Sequence, residues 1–153
     1  MRALEAWVEE PLMTFLGESA ARVTLLMTSS GQVVAQHGFT RALDVMSAAA
    51  LGAGIMASTF ELAKLMGSRP LGAVVHQGSA VGVYLAAFET PRGRWLGLVV
   101  FGGETSLGLV QLFFARLAAD LANAAPVAEP PRQVLAEDFE AELNSSLRAL
   151  FGR

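Results

Sequence analysis

Residues 43–67 constrain the fold of this chain most, because they form a long stretch with helical periodicity that is apolar almost all round. At about 100° per residue, the bulky residues fall on one arc of a helix and the small residues on another. The bulky arc consists of Leu51, Ile55, Leu62 and Met66, with Met56 and Phe60 further round. The small arc consists of Ala50, Ala53, Gly54, Ala57, Glu61 and Lys64. An ordinary surface helix has a polar back, so we expect a second chain to cover this one.

Three alternative interpretations of the same stretch remain open. A membrane span needs roughly 17–25 mostly apolar residues, and the uncharged run 45–60 falls short of that range and is rich in Gly, Ala and Ser. Gly52, Gly54 and Ala57 fit the pattern G-x-G-x-x-A, but that dinucleotide motif must follow a strand and open a helix. The third alternative is a helix buried in the core of a monomer.

The composition favours one globular domain that associates with other chains and does not bind nucleic acid. The chain has 153 residues, of which 53% are hydrophobic and only 16% are charged. A net charge of −3 argues against a phosphate-binding surface. The chain has no cysteine, which excludes disulfides and thiolate catalysis. The first residues, MRALEAWVEEP, lack the apolar core of a signal peptide, so we expect a cytoplasmic protein with no membrane span.

Hydrophobic patterns and turn residues predict an α-ββ-α-βββ-α order. The predicted helices are 2–16, where Pro11 should cause a kink or a break, 43–67, and 107–123, capped by Thr105 or Ser106. The predicted strands are 22–28, 33–37, 71–76, 80–88 and 94–101. Short connections favour antiparallel neighbours. The expected fold is therefore α+β, a sandwich-like arrangement with one five-stranded antiparallel sheet and helices packed on it.

The chain divides into a globular domain at 1–124, a proline-rich linker at 125–133 and a terminal amphipathic helix at 134–153. The linker, APVAEPPRQ, is expected to be semi-rigid. The terminal helix carries one apolar stripe, formed by Leu135, Phe139, Leu143, Leu147, Leu150 and Phe151. This stripe must dock either on its own domain or in the groove of a partner.

No pattern in the sequence predicts catalysis. His37 and His76 are the only histidines, and neither has an acidic neighbour in sequence. Gly102 and Gly103 precede a helix without the lysine of a phosphate-binding loop. Arg92 and Arg94 flank a turn, where arginines are usually solvated. We therefore expect no catalytic residue, no cofactor and no metal, and a protein that binds a partner.

Several strings of this sequence resemble the roadblock/dynein light chain family, and within it the branch of bacterial gliding proteins. They are RVTLLMTSSGQVVAQHG, the helix end ELAKLMG, VVHQGSAVGVYLA, and FGGETSLGLVQL at the last strand–helix junction. The resemblance covers roughly residues 21–123, and the terminal helix also matches that branch. It implies a roadblock-type domain and a homodimer whose central helices pair and whose sheets join edge to edge.

The resemblance further implies that the dimer binds one small Ras-like GTPase (MglA-like) and activates it by reshaping its switch region. The GTPase supplies the catalytic residues, and the setting is cell polarity or gliding motility. The implied GTPase interface is Ala50, Ala53, Ala57 and Glu61, with Leu143, Leu147 and Phe151 of the terminal helix; the dimer interface is assigned to Met56 and Phe60. Glu61 stands where a small residue is expected, so either that contact differs or the chain is a paralogue.

Two other functions remain open. A roadblock dimer can act as a scaffold that recruits a GTPase or a signalling complex without stimulating hydrolysis. A mixed α/β domain of this size can also hold a pocket and sense a small ligand. Multiple-turnover GTP hydrolysis separates the activator from the scaffold, and a ligand retained on the purified protein would favour the sensor.

Overall fold

A computed structural model describes residues 2–3, 5–38, 44–69, 72–125 and 143–150 of the chain. The elements are β1 (Arg2–Ala3), α1 (Ala6–Ser19), β2 (Val23–Thr28), β3 (Val33–Gly38), α2 (Val45–Leu65), β4 (Ala73–Gln77), β5 (Gly82–Thr90), β6 (Gly93–Phe101) and α3 (Leu107–Ala124). Residues 143–150 are also helical. The predicted order of elements is confirmed, and β1 is an addition to it.

The strands form one antiparallel sheet in the order β1-β3-β2-β6-β5-β4. The five predicted strands form its body, and the two-residue β1 pairs with β3 at one edge. At the opposite edge lies β4, which pairs only with β5. The β2–β3 turn closes with the Gly31 amide donating to the Thr28 carbonyl at 2.9 Å. Gly31 has φ +94° there, a conformation that glycine adopts without strain.

Helices cover both faces of the sheet, with α1 and α3 on one face and α2 on the other. The alternation along β2 shows this division, because Leu26 belongs to the α1–α3 core whereas Leu25 and Met27 belong to the α2 core. Under α1 and α3 the core is aromatic. Phe114 makes edge-to-face contacts with Phe15, Tyr84 and Phe88, at ring-centroid distances of 6.0, 5.4 and 5.5 Å.

Helix α1 runs through Pro11 and does not end there. A proline removes the hydrogen bond to the carbonyl four residues earlier, which here is that of Trp7 in the first helical turn. Burial of Val8, Leu12 and Phe15 holds the helix on the sheet on both sides of the proline. The helix starts later than predicted, since Arg2–Ala3 forms β1.

Both ends of α2 are fixed by capping interactions. At the start, the Asp44 carboxylate accepts hydrogen bonds from the Ser47 amide at 3.1 Å and from the Ser47 hydroxyl at 2.7 Å. At the end, Gly67 has φ +65°. The amides of Gly67 and Ser68 donate to the carbonyls of Lys64 and Ala63, the pattern of a Schellman motif. The predicted stop at Gly67 is therefore confirmed.

Among the described residues, α2 and α3 are long and apolar enough to cross a membrane by length and composition. Core helices pass the same test, so this is weak evidence for a span. Both helices pack on the sheet, α2 through Ala49, Gly52 and Met56 and α3 through Phe114 and Leu117.

Gly97 of β6 provides a test of the close packing between the sheet and α3. A β-carbon at this position would overlap the Phe114 ring, which is only 3% exposed. We expect Gly97→Ala to lower the free energy of unfolding by about 1–3 kcal/mol, because the aromatic core must shift. Gly17→Ala in α1 is the matched control, since nothing lies within 4 Å of its added β-carbon. It should raise stability by up to about 1 kcal/mol. Equal values for the two variants in urea unfolding would contradict this packing.

Candidate functional site

Helix α2 contacts the sheet through only one narrow face. Its buried residues are Ala49, Gly52, Ala53, Met56 and Ala63. The small size of Gly52 lets the helix lie close to the sheet, since its added β-carbon would meet the side chains of Leu98 and Leu85 at 3.5 and 3.6 Å. Both glycines of the dinucleotide pattern thus lie inside a helix, where Gly52 packs on the sheet and Gly54 is exposed. Most of α2 remains exposed, so it is not a helix buried in the core of a monomer.

The first outward surface of α2 is apolar, and we call it the bulky face. It consists of Leu51, Ile55, Leu62 and Met66, which are 69%, 48%, 52% and 57% exposed. Beside these side chains a depression of about 520 Å³ runs along the helix, with Ala50, Gly54 and Ser58 in its lining. Ridges of large side chains next to a groove of small ones are the surface that a second helix packs against.

The second outward surface of α2 is made of short side chains, and we call it the small face. It consists of Ala50, Gly54, Ala57 and Glu61, all exposed. Glu61 forms an exposed ion pair with Lys64 one turn on, at 3.1 Å. At about 100° per residue, this face is adjacent to the bulky face, and Ala50 and Gly54 at their border also line the groove beside the bulky side chains. A partner can therefore approach the α2 backbone closely on this side.

A shallow cavity of about 400 Å³ adjoins the small face, between α2 and the sheet. Arg94 of β6 lies at its border, with its guanidinium 4.8 Å from the centre of the Phe60 ring and its Nε 2.8 Å from a Glu89 carboxylate oxygen. The pairing of Glu89 with Arg94 follows from the β5–β6 register. The sequence indicated that Arg94 flanks a turn and is usually solvated there; the hairpin register, which pairs it with Glu89, is what brings it to this cavity.

The predicted interface residues fall into three groups. Ala50, Ala57 and Glu61 are exposed, whereas Ala53 is 8% exposed at the border of the inner face. Met56 is 1% exposed, so its side chain supports α2 from beneath and is not available to a second chain; Phe60 is half-buried against the sheet. Leu143 and Leu147 are 48% and 42% exposed on one side of the helical residues 143–150, while Phe151 lies outside the described residues.

Within the described ranges, no strand pairs with the outer side of β4. Its residues are mostly exposed, and Val75 is 40% exposed. An unpaired edge offers backbone donors and acceptors to another strand. The predicted joining of two sheets edge to edge would use such an edge, and it stays a prediction.

The described residues include no group of three or more His, Asp or Glu side chains that could hold a metal ion. His37 lies near the end of β3, where burial lowers the pKa of its imidazole and where Nδ1 has no hydrogen-bond partner in the part of the chain that the structure describes. Arg92 is engaged with Glu5 at 3.4 Å. Among the residues that the structure describes, five ion pairs form, and all of them are at least partly exposed.

The Asp44 cap sets where the site helix begins, which gives a test with a pH dependence. Hydrogen bonds from Ser47 hold the pKa of Asp44 below its ordinary value of 3.8. Its contribution to stability is therefore present above that value and is lost as the pH falls through the lowered pKa. We expect Asp44→Ala to melt a few degrees below wild type at pH 7. Asp44→Asn, which keeps the cap, should melt close to wild type.

In acid, Asp44 is protonated and no longer contributes the stability of a charged cap. The melting temperature of wild type should therefore fall relative to that of Asp44→Asn. Thermal melts followed by circular dichroism at pH 7 and pH 3 measure both differences. A constant difference between wild type and Asp44→Asn across this range would show that the carboxylate does not act as described.

No protein-family model and no curated protein sequence matches the chain. Among solved structures, MglB from Myxococcus xanthus is 28% identical over 78% of this chain and 95% of that one, with a TM-score of 0.70. Gliding protein MglB from Thermus thermophilus is 33% identical over 78% and 88%, with a TM-score of 0.68. An MglB structure with a tetrameric arrangement is 31% identical over 79% and 91%, with a TM-score of 0.68.

A roadblock/LC7 domain from Streptomyces avermitilis is 16% identical over 70% of this chain and 88% of that one. Its TM-score of 0.60 shows a shared fold. The match to the Thermus protein combines 33% identity with coverage of nearly its whole length, and the sheet order and helix positions agree with the roadblock fold. This chain belongs to the MglB family of roadblock proteins.

Proposed function

We propose that this protein is a homodimeric regulator of a small, MglA-like Ras GTPase, of the GTPase-activating type, in cytoplasmic control of cell polarity or gliding motility. The observation that carries the proposal is that α2 presents two adjacent faces of different character, both exposed in the single chain. One face suits a second copy of the chain, and the other suits a different partner.

The bulky face supports dimerisation. Burying a Leu or Ile side chain contributes about 1.5–3 kcal/mol, and a two-fold axis counts each such residue twice. Leu51, Ile55 and Leu62 lie beside a groove that includes Ser58 and Thr59, so the large side chains of one copy can pack into the groove of the other across such an axis. Solved MglB includes a tetrameric arrangement, which agrees with association through this family's surfaces.

The small face supports GTPase binding. Ala50, Gly54 and Ala57 project little from the helix, so a partner's backbone can lie against α2 without displacing long side chains. In the proposed dimer the small faces of the two copies would border the dimer contact, because Ala50 and Gly54 also line the groove beside the bulky face. One GTPase could then contact both copies. The helical residues 143–150 supply a further apolar surface, formed by Leu143 and Leu147.

The regulator acts by selecting a conformation of the GTPase. A partner that binds one arrangement of the switch region more tightly shifts the conformational equilibrium of the GTPase toward that arrangement. The size of the shift cannot exceed the difference between the partner's affinities for the two states. Hydrolysis then relies on the GTPase's own groups, which position the attacking water and stabilise charge on the transferred phosphate. On this proposal α2 must present a surface that fits the GTPase, and this protein needs no acid, base or nucleophile of its own.

Ile55→Glu tests the dimer. The substitution places a charge in an apolar contact, which is costly when the charge has no partner. We expect the dimer dissociation constant to rise by at least about tenfold in sedimentation, which corresponds to 1.4 kcal/mol. Leu112→Glu in α3 is the matched control, because Leu112 is 57% exposed on the other side of the sheet. Equal dissociation constants for the two variants would remove the bulky face from the dimer.

Ala57→Arg tests the GTPase surface. A long side chain at the centre of the small face would hold the partner away from α2, so we expect binding of the GTP-analogue form to be lost. The chain itself should stay folded and dimeric. Ala115→Arg is the control, since Ala115 is exposed on α3. If titration calorimetry shows that Ala57→Arg binds the GTPase with unchanged affinity, the small face is not the GTPase-binding surface.

Multiple-turnover GTP hydrolysis tests activation itself. The proposal predicts that catalytic amounts of this protein raise the hydrolysis rate, and that Ala57→Arg abolishes the effect while Ala115→Arg keeps it. Binding without a rate increase would replace the activator with a scaffold. A retained small molecule in native mass spectrometry, together with no GTPase binding, would replace it with a ligand sensor.

A further inference from the structure

A groove of about 490 Å³ lies between α1 and α3, on the side of the sheet opposite to α2. Its lining comes from the first half of α1, with Ala6, Trp7, Glu10, Pro11 and Thr14, and from the end of α3, with Asp120, Asn123 and Ala124. The two helices run antiparallel, because Arg116 binds Glu18 at 2.9 Å at the far end of the pair. The last turn of α3 therefore lies beside the first turn of α1.

Trp7 gives this groove an aromatic wall. Its ring stacks on the buried Trp95, with 5.4 Å between ring centroids and 24° between planes. Its indole N–H donates to the Glu5 carboxylate, so the polar edge of the ring is already engaged. The rest of the Trp7 ring is partly exposed and lines the groove. Polar side chains, among them Glu10 and Asp120, share the lining with the ring. A fixed, partly exposed aromatic ring in a groove is the type of surface that receives proline-rich segments in the polyproline II conformation.

The chain itself delivers such a segment to the rim of the groove. Helix α3 ends at Ala124, which lines the groove, and Ala125 has φ −59° and ψ 136°. These angles are those of polyproline II, and a residue before proline favours this region. The next residues in the sequence are PVAEPP, at 126–131. A polyproline II strand advances about 3.1 Å per residue, so about four residues match the ~12 Å that α1 rises between Ala6 and Thr14.

We propose that the proline-rich segment 126–131 docks in this groove of its own chain, against Trp7. Covalent continuity favours this occupant over a free peptide, because a segment tethered at the rim has an effective concentration in the millimolar range. The preset backbone of a proline-rich segment also loses little entropy on docking. Docking fixes the direction in which the chain leaves α3 toward the terminal helix. The inference is independent of any GTPase and of the faces of α2.

Tryptophan fluorescence of the full-length protein tests the proposal, since Trp7 and Trp95 are the only tryptophans. We compare wild type with a variant carrying Pro126→Ser, Pro130→Ser and Pro131→Ser. The matched control carries Ala136→Ser, Ala141→Ser and Ala149→Ser, which keep every proline. Removing the segment from the Trp7 ring should raise the acrylamide quenching constant about twofold, because a ring face becomes open to solvent. The same proline changes in a Trp7→Phe background should leave quenching unchanged, since Trp95 is buried.

The synthetic peptide APVAEPPRQ, added in trans, completes the test. It should reduce the quenching of the proline variant and leave wild type unaffected, because the groove of wild type is occupied. Equal quenching of wild type and the proline variant would overturn the proposal. So would equal binding of the peptide to both proteins, which would mean that the groove is open and available to a proline-rich partner. A difference that persists without Trp7 would also overturn it, since the segment would then act elsewhere.

Discussion

The structure depends on how α2 is seated on the sheet. A narrow face of Ala49, Gly52, Ala53 and Met56 brings the helix close to β2, β5 and β6, and capping at Asp44 and Gly67 sets its ends. If α2 contacted the sheet over a wider face, its large side chains would be buried within one copy of the chain. Because small residues form most of this contact, Leu51, Ile55 and Leu62 are left outside, next to the exposed alanines. The exposed apolar surface that we propose to bind a second copy therefore results from the small size of the residues packed beneath it.

The two layers of helices differ in the size of the core that they cover and in the surface that they expose. The α1–α3 layer covers an aromatic core around Phe114 and Trp95 and gives the domain its main hydrophobic mass. The α2 layer covers a smaller core and carries the outward faces. If α2 binds the partners proposed above, its exposed positions can change with little effect on the larger α1–α3 core.

The order of elements was predictable because period-two strands, turn residues and a long helical stretch all pointed to the same arrangement. The stop at Gly67 was predictable from glycine chemistry, and a cap at Thr105 or Ser106 from side-chain chemistry. Strand β1 was not, because two residues carry no periodicity and their pairing with β3 is a tertiary contact. The inner face of α2 was also not predictable, since periodicity separates arcs without saying which arc meets the sheet. Met56 was assigned to the dimer contact for this reason, although its side chain lies in the core of the single chain.

Light scattering gives the mass of this protein in solution, alone and mixed with an MglA-like GTPase bound to a GTP analogue. We predict a dimer for the protein alone and a complex of two copies with one GTPase for the mixture. A monomer would contradict the account of α2, because its bulky face would then be exposed to water with no second chain. A dimer whose mass does not change when the GTPase is added would contradict the role given to the small face.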